Sequence, residues 1–287
     1  MRDKNMGKKI AFLDIDGTLS LMDGTILESS IYACTKARAN GHKIYLCTGR
    51  SKHEVFGEIW DIGFDGLIGA GGAHIEVGNQ VLLHRTLSLE QCQQAVDFFD
   101  EKRIDFFLEC DSGIYTSKYF LPVMEKIVYG DICEAQINEI KQRNEYHPFL
   151  ALMTSGETNL YRDDVNKISF LGNNTIDISE IKARFENEFS IIGGSVDLFG
   201  KNSGELGALG INKASAIKVL LEHIDGSIDN CYAIGDGIND LEMFECCAKS
   251  VAMGNAHPEI KAIADFVVSS NEENGVYEAF EYLGLLD

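Results

Sequence analysis

The sequence predicts an α/β protein whose parallel-sheet core is interrupted by an inserted α+β domain. Near-continuous apolar runs alternate with helix patterns over about the first 80 residues, and the alternation resumes towards the C-terminus. Such runs are typical of parallel strands that are covered on both faces. Between these two parts, hairpin and helix patterns are mixed, which favours an α+β insert. We expect residues 1–83 and 196–287 to form the core and residues 84–195 to form the insert.

The first strands and helices of the core follow from the apolar runs. KIAFLDI, over residues 9–15, has the composition of a buried parallel strand, and a helix pattern begins at about Ser30. HKIYLCTGR, over residues 42–50, is a second buried run, and a second helix is predicted over Ser51–Ile62. GLIGAGGAHIEV, over residues 66–77, then indicates a third strand that turns into a hairpin.

The insert and the second part of the core have their own signals. Ser88, with Gln91 three residues later, forms a capping box for a helix that we expect to continue to about Lys102. IDFFLECDSGIYTS indicates a hairpin within the insert. In the core, INKASAIKVLLEHI predicts an amphipathic helix, and NCYAIGDGIND predicts a strand that ends in polar residues.

Composition excludes several classes of function. The chain has 45 acidic and 25 basic residues and a formal charge of −20, so we expect neither nucleic acid nor an acidic membrane surface as a partner. No apolar stretch approaches the roughly 18 residues that span a bilayer, and the N-terminal apolar run is too short for a secretion signal. The eight cysteines lack metal-ligand spacing, as is typical of buried thiols in a reducing compartment. We expect a cytoplasmic protein, and no protein partner is indicated.

Polar side chains are concentrated where predicted strands end. Asp14 and Asp16 follow the first strand, Thr48-Gly49 follows the second, and residues 236–240 follow the late strand. Lys213 lies at the start of a predicted helix. Because ligands bind at the carboxyl ends of parallel strands, we expect these groups to meet in one pocket.

The types of residue in this set indicate phosphoryl chemistry. Asp14 and Asp16 are two apart and would face the same side of a strand, and Asp236 adds a third carboxylate. Such a cluster needs a proton or a divalent cation, and oxygen ligands beside a phosphate favour Mg²⁺. Thr48 and the amide of Gly49 could bind an anion where a helix begins, and Lys213 offers a positive charge. One aspartate could then attack phosphorus while a second transfers protons.

These residues resemble the four motifs of the haloacid dehalogenase superfamily of phosphohydrolases. DIDGTL is similar to the first motif, Thr48 to the second, Lys213 to the third and GDGIND to the fourth. The large insert between Thr48 and Lys213 resembles that of members with a C2-type cap domain. The tail VAMGNAHPEIKAIADFVVSSNEENGV, over residues 251–276, looks like the Cof-type branch.

The resemblance implies a Rossmann-like core, a cap that selects the substrate and a role for each matching residue. Asp14 would be the nucleophile and Asp16 the general acid and base. Mg²⁺ would be bound by Asp14, by the backbone carbonyl of Asp16 and by Asp236, while Asp240 would orient Lys213 or the metal shell. The residues that would bind phosphate are Ile15 through its amide, Thr48, Gly49, Lys213 and Asn239.

We therefore predict a Mg²⁺-dependent phosphohydrolase that acts on a small phosphorylated metabolite through an aspartyl-phosphate. Its substrate would be a phosphomonoester, either a sugar phosphate or a phosphorylated cofactor such as flavin mononucleotide or pyridoxal phosphate. Two alternatives stay open at this point. The same site could belong to a phosphomutase, or the protein could be a regulatory phosphate-binding protein without turnover.

Overall fold

The computed structural model describes residues 7–21, 23–55, 57–110, 112–156, 159–172, 176–193 and 199–287. The chain forms two compact units: the first combines Met1–His84 with Ile211–Asp287, and the second is the continuous segment Arg85–Gly210. The sequence placed the end of the insert at residue 195, whereas the second unit continues to Gly210. The reason is a strand, Gly204–Ala208, that pairs with strands of the second unit on both sides.

The strands of the described residues, numbered in chain order, are β1 (Ile10–Leu13), β2 (Lys43–Cys47), β3 (Gly66–Gly69), β4 (His74–Val77), β5 (Gln80–His84), β6 (Phe106–Cys110), β7 (Gly113–Thr116), β8 (Met153–Thr154), β9 (Val165–Phe170), β10 (Phe189–Gly193), β11 (Gly204–Ala208), β12 (Cys231–Gly235), β13 (Lys249–Ala252) and β14 (Phe266–Val267). The helices are α1 (Glu28–Ala39), α2 (Glu58–Asp61), α3 (Leu89–Lys102), α4 (Phe120–Tyr129), α5 (Glu134–Gln142), α6 (Pro148–Ala151), α7 (Ile178–Phe185), α8 (Lys213–Ile224), α9 (Leu241–Cys246), α10 (Pro258–Ile263) and α11 (Gly275–Tyr282). Within the described ranges, no helix is both long enough and apolar enough to cross a membrane.

The first unit contains an eight-stranded sheet with the order β14-β13-β12-β1-β2-β3-β4-β5. The strands from β14 to β3 are parallel, whereas β4 is antiparallel to β3 and β5 is antiparallel to β4. This topology confirms the predicted parallel-sheet core and the hairpin after its third strand. β1 lies between β12 and β2, so the segments that follow three neighbouring strands emerge at the same edge of the sheet.

β1 is central because all four of its residues are apolar. Ile10, Ala11, Phe12 and Leu13 are buried, as a parallel strand between two layers requires. On one face, the ring of Phe12 stacks on Tyr45 of β2 with 5.8 Å between the ring centroids. The strand that carries the first two aspartates is thus fixed on both sides by hydrogen-bonded neighbours and by core packing.

The predicted helix over Ser51–Ile62 is interrupted in the structure. A short 3-10 turn, Lys52–Glu54, is followed by extended backbone at Val55 (φ −96°, ψ 101°), and α2 begins only after Gly57 at φ 60°. Val55 and Ile59 are buried all the same. The apolar spacing therefore predicted correctly that Val55 and Ile59 face the core, but it did not predict the backbone conformation that places them there.

The second unit is an α+β domain, as the mixed patterns predict. Its six strands have the order β10-β11-β9-β6-β7-β8, and all neighbours are antiparallel except β7 and β8. Alternate residues of β6 face two separate cores: Phe106 packs with α3 and α7, and Phe107 packs with α4 and α6. α3 begins with the predicted capping box, in which Ser88 accepts a hydrogen bond from the Gln91 amide at 3.1 Å.

Candidate active site

The proposed nucleophile lies directly after β1. The amide of Asp14 donates to the carbonyl of Ile234 at 3.0 Å, so this residue is still part of the ladder with β12. The chain then turns, and the carbonyl of Ile15 accepts hydrogen bonds from the amides of Thr18 (3.3 Å) and Ser20 (2.8 Å). Asp14 is only 4% exposed. Its position is therefore set by the backbone of the sheet edge.

The turn after Asp14 closes against Asp236, which follows β12. The hydroxyl of Thr18 donates to Asp236 Oδ1 at 2.8 Å. Gly17 has φ +77°, and a Cβ at this position would overlap the Asp236 carboxylate. Glycine is required here both for its backbone conformation and for the close approach of the aspartate.

Three carboxylates meet at this edge of the sheet. One oxygen each of Asp14, Asp236 and Asp240 lies within 4.8 Å of the others. The sequence interpretation expected the carboxylates of Asp14, Asp16 and Asp236 to form this cluster, whereas in the structure Asp240 takes the place of Asp16. Strand alternation no longer applies at Asp16, because the chain has already begun to turn, and its carboxylate pairs with Arg50 instead.

Lys213 provides the positive charge within this cluster. Its Nζ donates to Asp14 Oδ1 at 2.7 Å and to Asp240 Oδ1 at 2.5 Å, and the residue is 2% exposed. Lys213 is the first residue of α8, whose N-terminus is capped by Asn212: the Asn212 side chain accepts from the Ser215 amide at 2.8 Å. The start of a capped helix thus fixes the lysine against Asp14.

Asp240 is held from both sides. While Oδ1 accepts from Lys213, Oδ2 accepts from the backbone amides of Asp236 and Gly237, both at 3.0 Å. Because both of its oxygens are engaged, Asp240 is well placed to orient Lys213 and to fix the turn that carries Asp236.

The electrostatics of the cluster follow from burial and from an excess of negative charge. Burial raises the pKa of Asp14, Lys213 opposes this, and the neighbouring carboxylates Asp240, Asp236 and Asp16 raise it further. For Lys213, burial would lower the pKa, but Asp14 and Asp240 outweigh it and the pKa is raised. The lysine is therefore charged at neutral pH.

The effect of burial and of neighbouring negative charge on the pKa is clearest at Asp236. Burial, with a further contribution from Asp240, raises its pKa to about 7, and the Thr18 hydrogen bond and Lys213 oppose the shift. When all three carboxylates are ionised, they outnumber the one ammonium group and leave a net negative charge in a largely buried cluster. Hard oxygen donors of this kind suit a divalent cation such as Mg²⁺. The residues present therefore fit the predicted ion.

The remaining predicted phosphate-binding residues lie on the neighbouring segments. Thr48 follows β2 and is buried, and its hydroxyl oxygen accepts from the Arg50 amide at 3.1 Å. Gly49 is between these two residues, Ile15 is in the turn after Asp14, and Asn239 is in the 3-10 turn Ile238–Asp240. All of them belong to the first unit.

Asp16 and Arg50 form a pair that the sequence interpretation missed. Arg50 donates to both carboxylate oxygens of Asp16, from Nε at 2.9 Å and from Nη2 at 2.5 Å. The Asp16 side chain is 61% exposed, in contrast to the buried Asp14 and Asp240. Arg50 directly follows Thr48-Gly49 in CTGR, so the only available sequence signal was its place at a strand end.

A second group that the sequence did not indicate holds the turn from the other side. Asn255 donates to the carbonyl of Gly17 at 2.7 Å, and Asn271 donates to the carbonyl of Ser20 at 3.0 Å. The two are linked, because the Asn271 amide donates to Asn255 Oδ1 at 3.1 Å. The turn that follows Asp14 is therefore bound by side chains from the C-terminal part of the chain.

Comparison with known proteins agrees with the fold. A family model of the haloacid dehalogenase-like hydrolases matches residues 11–280. The chain is 29% identical over 283 residues to YkrA of Bacillus subtilis (strain 168), with 98% of this chain and 100% of that protein covered. It is 26% identical over 258 residues to the HMP-PP phosphatase of Escherichia coli O8 (strain IAI1), with 88% and 87% covered.

Solved structures show the same fold. The HAD subclass IIB sugar phosphatase BT4131 has a TM-score of 0.74 and 24% sequence identity to this chain, with 97% of this chain and 100% of that one covered. The likeness confirms the predicted Rossmann-like core with an inserted domain.

Proposed function

The chain belongs to the haloacid dehalogenase-like hydrolases, and from that premise we propose that it hydrolyses small phosphomonoesters through an aspartyl-phosphate on Asp14. The observation that carries this proposal is the buried contact between Asp14 and Lys213, 2.7 Å apart, with Asp236 beside it. A carboxylate fixed against a charged lysine at the edge of a parallel sheet is suited to attack a phosphoryl group whose charge the lysine stabilises.

In the first half of the proposed reaction, a carboxylate oxygen of Asp14 forms a bond to phosphorus while the bond between phosphorus and the ester oxygen breaks. The electron pair of that bond leaves with the ester oxygen, which takes a proton from the carboxyl group of Asp16 and departs as an alcohol. Lys213 stabilises the negative charge on the transferring oxygens.

In the second half, a water oxygen attacks the phosphorus of the aspartyl-phosphate. Asp16, now a carboxylate, accepts a proton from this water, and the bond between phosphorus and Asp14 breaks so that inorganic phosphate is released. Asp14 is then a carboxylate again and Asp16 is protonated, so the site has returned to its starting state.

The phosphoryl oxygens need donors besides Lys213. The Thr48 hydroxyl already accepts a hydrogen bond from the Arg50 amide, so its own hydrogen can be donated to a phosphate oxygen. We assign the same role to the amides of Ile15 and Gly49 and to the side chain of Asn239. These groups provide neutral donors, which bind a phosphate without changing the charge of the site.

The acidic cluster also supports the assignment of Mg²⁺. Asp14 and Asp236, with the backbone carbonyl of Asp16, would hold the ion, while Asp240 is already engaged by Lys213 and two amides. When bound, the ion would supply positive charge to the phosphoryl oxygens.

For the substrate, we propose a sugar phosphate or a phosphorylated cofactor. The names of two relatives, an HMP-PP phosphatase and a sugar phosphatase, support small phosphorylated metabolites as a class. We assign to the second unit, Arg85–Gly210, the role of a C2-type cap that selects among them.

Phosphate release from a panel of phosphorylated metabolites, with Mg²⁺ and with a chelator, tests this function. The panel contains sugar phosphates, flavin mononucleotide, pyridoxal phosphate and p-nitrophenyl phosphate. We expect release that depends on Mg²⁺ and is lost in Asp14→Asn, while the circular dichroism spectrum of the variant is unchanged. Phosphate release by Asp14→Asn would overturn the assignment of Asp14 as the nucleophile. Transfer of the phosphoryl group to a second sugar hydroxyl, without release of phosphate, would favour a phosphomutase.

A further inference from the structure

The pair between Arg50 and Asp16 has a geometry that fixes direction as well as charge. The two hydrogen bonds, of 2.9 Å and 2.5 Å, run from two nitrogens of one guanidinium group to the two oxygens of one carboxylate. Such a bidentate pair holds both planar groups in one relative orientation, which a single contact does not.

Asp16 needs this support because little else holds its side chain. It is 61% exposed and lies in a turn, outside the cluster of Asp14, Asp236 and Asp240. In the part of the chain that the structure describes, Arg50 donates the only hydrogen bonds that the Asp16 carboxylate accepts. Without them, the exposed side chain would sample several rotamers, and few of these would direct the carboxylate towards a leaving group.

Arg50, in contrast, is fixed at several points. Its Nη1 donates to the carbonyl of Glu54 at 3.2 Å, its amide donates to the Thr48 hydroxyl, and its carbonyl accepts from the Ala70 amide at 2.7 Å. The Glu54 side chain is itself buried and accepts from the Ser51 amide. The guanidinium group is thus a rigid partner for a side chain in a turn.

We propose that Arg50 is a positioning residue that orients Asp16 for proton transfer to the leaving group. This inference rests on the proposed function, because it gives Asp16 the role of the proton donor. Arg50 itself forms and breaks no covalent bond. Its contribution is to limit the directions of the Asp16 carboxyl group, from which the proton passes to the ester oxygen as the phosphorus–oxygen bond breaks.

The dependence on the leaving group provides a specific test. p-Nitrophenolate departs without a proton, whereas the alkoxide of a sugar phosphate needs one. For Arg50→Ala, we expect kcat/KM to fall about tenfold for the sugar phosphate that the wild type hydrolyses fastest and by less than about twofold for p-nitrophenyl phosphate. kcat/KM is the parameter to compare because it reports the steps up to departure of the leaving group.

A double-mutant cycle separates a role through Asp16 from a general structural effect. In an Asp16→Asn background, Arg50→Ala should cause no further loss with the sugar phosphate, because the group that it orients no longer transfers a proton. Arg50→Lys, which keeps the charge but cannot form the bidentate pair, should restore only part of the lost activity. An equal loss with both esters, or an additive loss in the Asp16→Asn background, would overturn the inference.

Arg38→Ala is the matched control, since Arg38 also pairs with an aspartate of the first unit, at 3.2 Å from Asp65, but does not contact Asp16. It should change kcat/KM for neither ester, and a loss specific to the sugar phosphate in this variant would contradict the inference. If the wild type releases phosphate from neither ester, the proposed function fails and the role of Arg50 fails with it. If the wild type is active but Arg50→Ala shows no contrast between the esters, only the inference fails.

Discussion

At the scale of single residues, we expect Asp236 to link stability to metal binding. Its pKa is raised to about 7 from an ordinary value of 3.8, so the folded protein retains this proton to a higher pH than the unfolded chain does. The stability that this proton contributes is complete below about pH 4 and is lost as the pH rises through about 7. In the absence of a cation, the protein should therefore become less stable between these two values.

Replacement of the carboxylate by an amide should remove this loss. We expect Asp236→Asn in a chelator at pH 8 to raise the free energy of unfolding by roughly 2–4 kcal/mol, because a buried carboxylate is no longer forced to ionise. Urea unfolding at pH 5 and at pH 8 measures the effect. We also expect Mg²⁺ to stabilise the wild type but not the variant, and an undiminished response of the variant to Mg²⁺ would show that the ion binds elsewhere.

Gly17 allows a second prediction at this scale. Gly17→Ala places a side chain at φ +77° and into the Asp236 carboxylate, so we expect a loss of about 2–3 kcal/mol in stability and a large loss of phosphate release. Gly24→Ala is the matched control, with φ +86° but no atom within 4 Å of the added Cβ. It should cost only about 1 kcal/mol and leave activity intact. Equal effects of the two changes would argue against the close approach at Gly17.

The residues of the site differ in how far the sequence could predict them. Asp14 and Asp236 follow apolar strands directly, and their meeting results from the parallel order of those strands. Asp16 is two residues after Asp14 and lies in the turn, where the rule that alternate residues share a face no longer holds. Its pairing with Arg50 depends on the path of two separate loops, which no local pattern encodes.

At the scale of elements, the two capped helices α3 and α8 can be compared directly. Ser88 and Asn212 each accept a hydrogen bond from an amide in the first turn of the helix that follows. We expect Ser88→Ala and Asn212→Ala each to destabilise the unit that contains it by about 1 kcal/mol. Only Asn212→Ala should lower kcat, because α8 starts with Lys213, whereas α3 carries none of the proposed catalytic residues.

Urea unfolding and the rate of phosphate release distinguish these effects. A loss of activity in Ser88→Ala comparable to that in Asn212→Ala would mean that helix stability in general, and not the position of Lys213, controls the reaction.

Elements with a strong local signal were the predictable ones. The capping box at Ser88 predicts the start of a helix, and the apolar runs at β1 and β2 predict buried strands. The structure contains all three elements. The segment over Ser51–Ile62 has helical spacing, but Val55 is extended and Gly57 has a positive φ, so only one turn of α-helix forms. Tertiary packing of Val55 and Ile59 decides the backbone there, and a periodic pattern does not contain that information.

At the scale of the whole molecule, all residues that we assign to the metal belong to the first unit. We expect Mg²⁺ to increase protection from amide hydrogen exchange in the turns at residues 14–20 and 236–240, and to leave β6 and β9 of the second unit unchanged. Exchange followed by mass spectrometry, with and without the ion, measures this difference, and Asp236→Asn should abolish it. Ion-dependent protection confined to the second unit would show that the ion binds there, and it would contradict the assignment of the metal to the first unit.

The division into two units was predictable in kind but not in its second boundary. The start of the insert is marked by the capping box that begins a new helix. Its end is marked only by β11, whose sequence GELGA has two glycines and one strongly apolar residue. Such a strand has little signal of its own, and it is recognisable through its pairing with β9 and β10.

The central place of β1 also has a consequence for how the protein is made. The ribosome produces β1 and β2 well before β12, the other neighbour of β1, which begins at residue 231. At roughly 5–20 residues per second, β12 is synthesised roughly 10 to 40 s after β1. During that interval the nascent chain carries an apolar strand with one open edge, which is the kind of surface that chaperones cover. Arg85–Gly210 is continuous in sequence, so all residues of the second unit are synthesised before β12 begins.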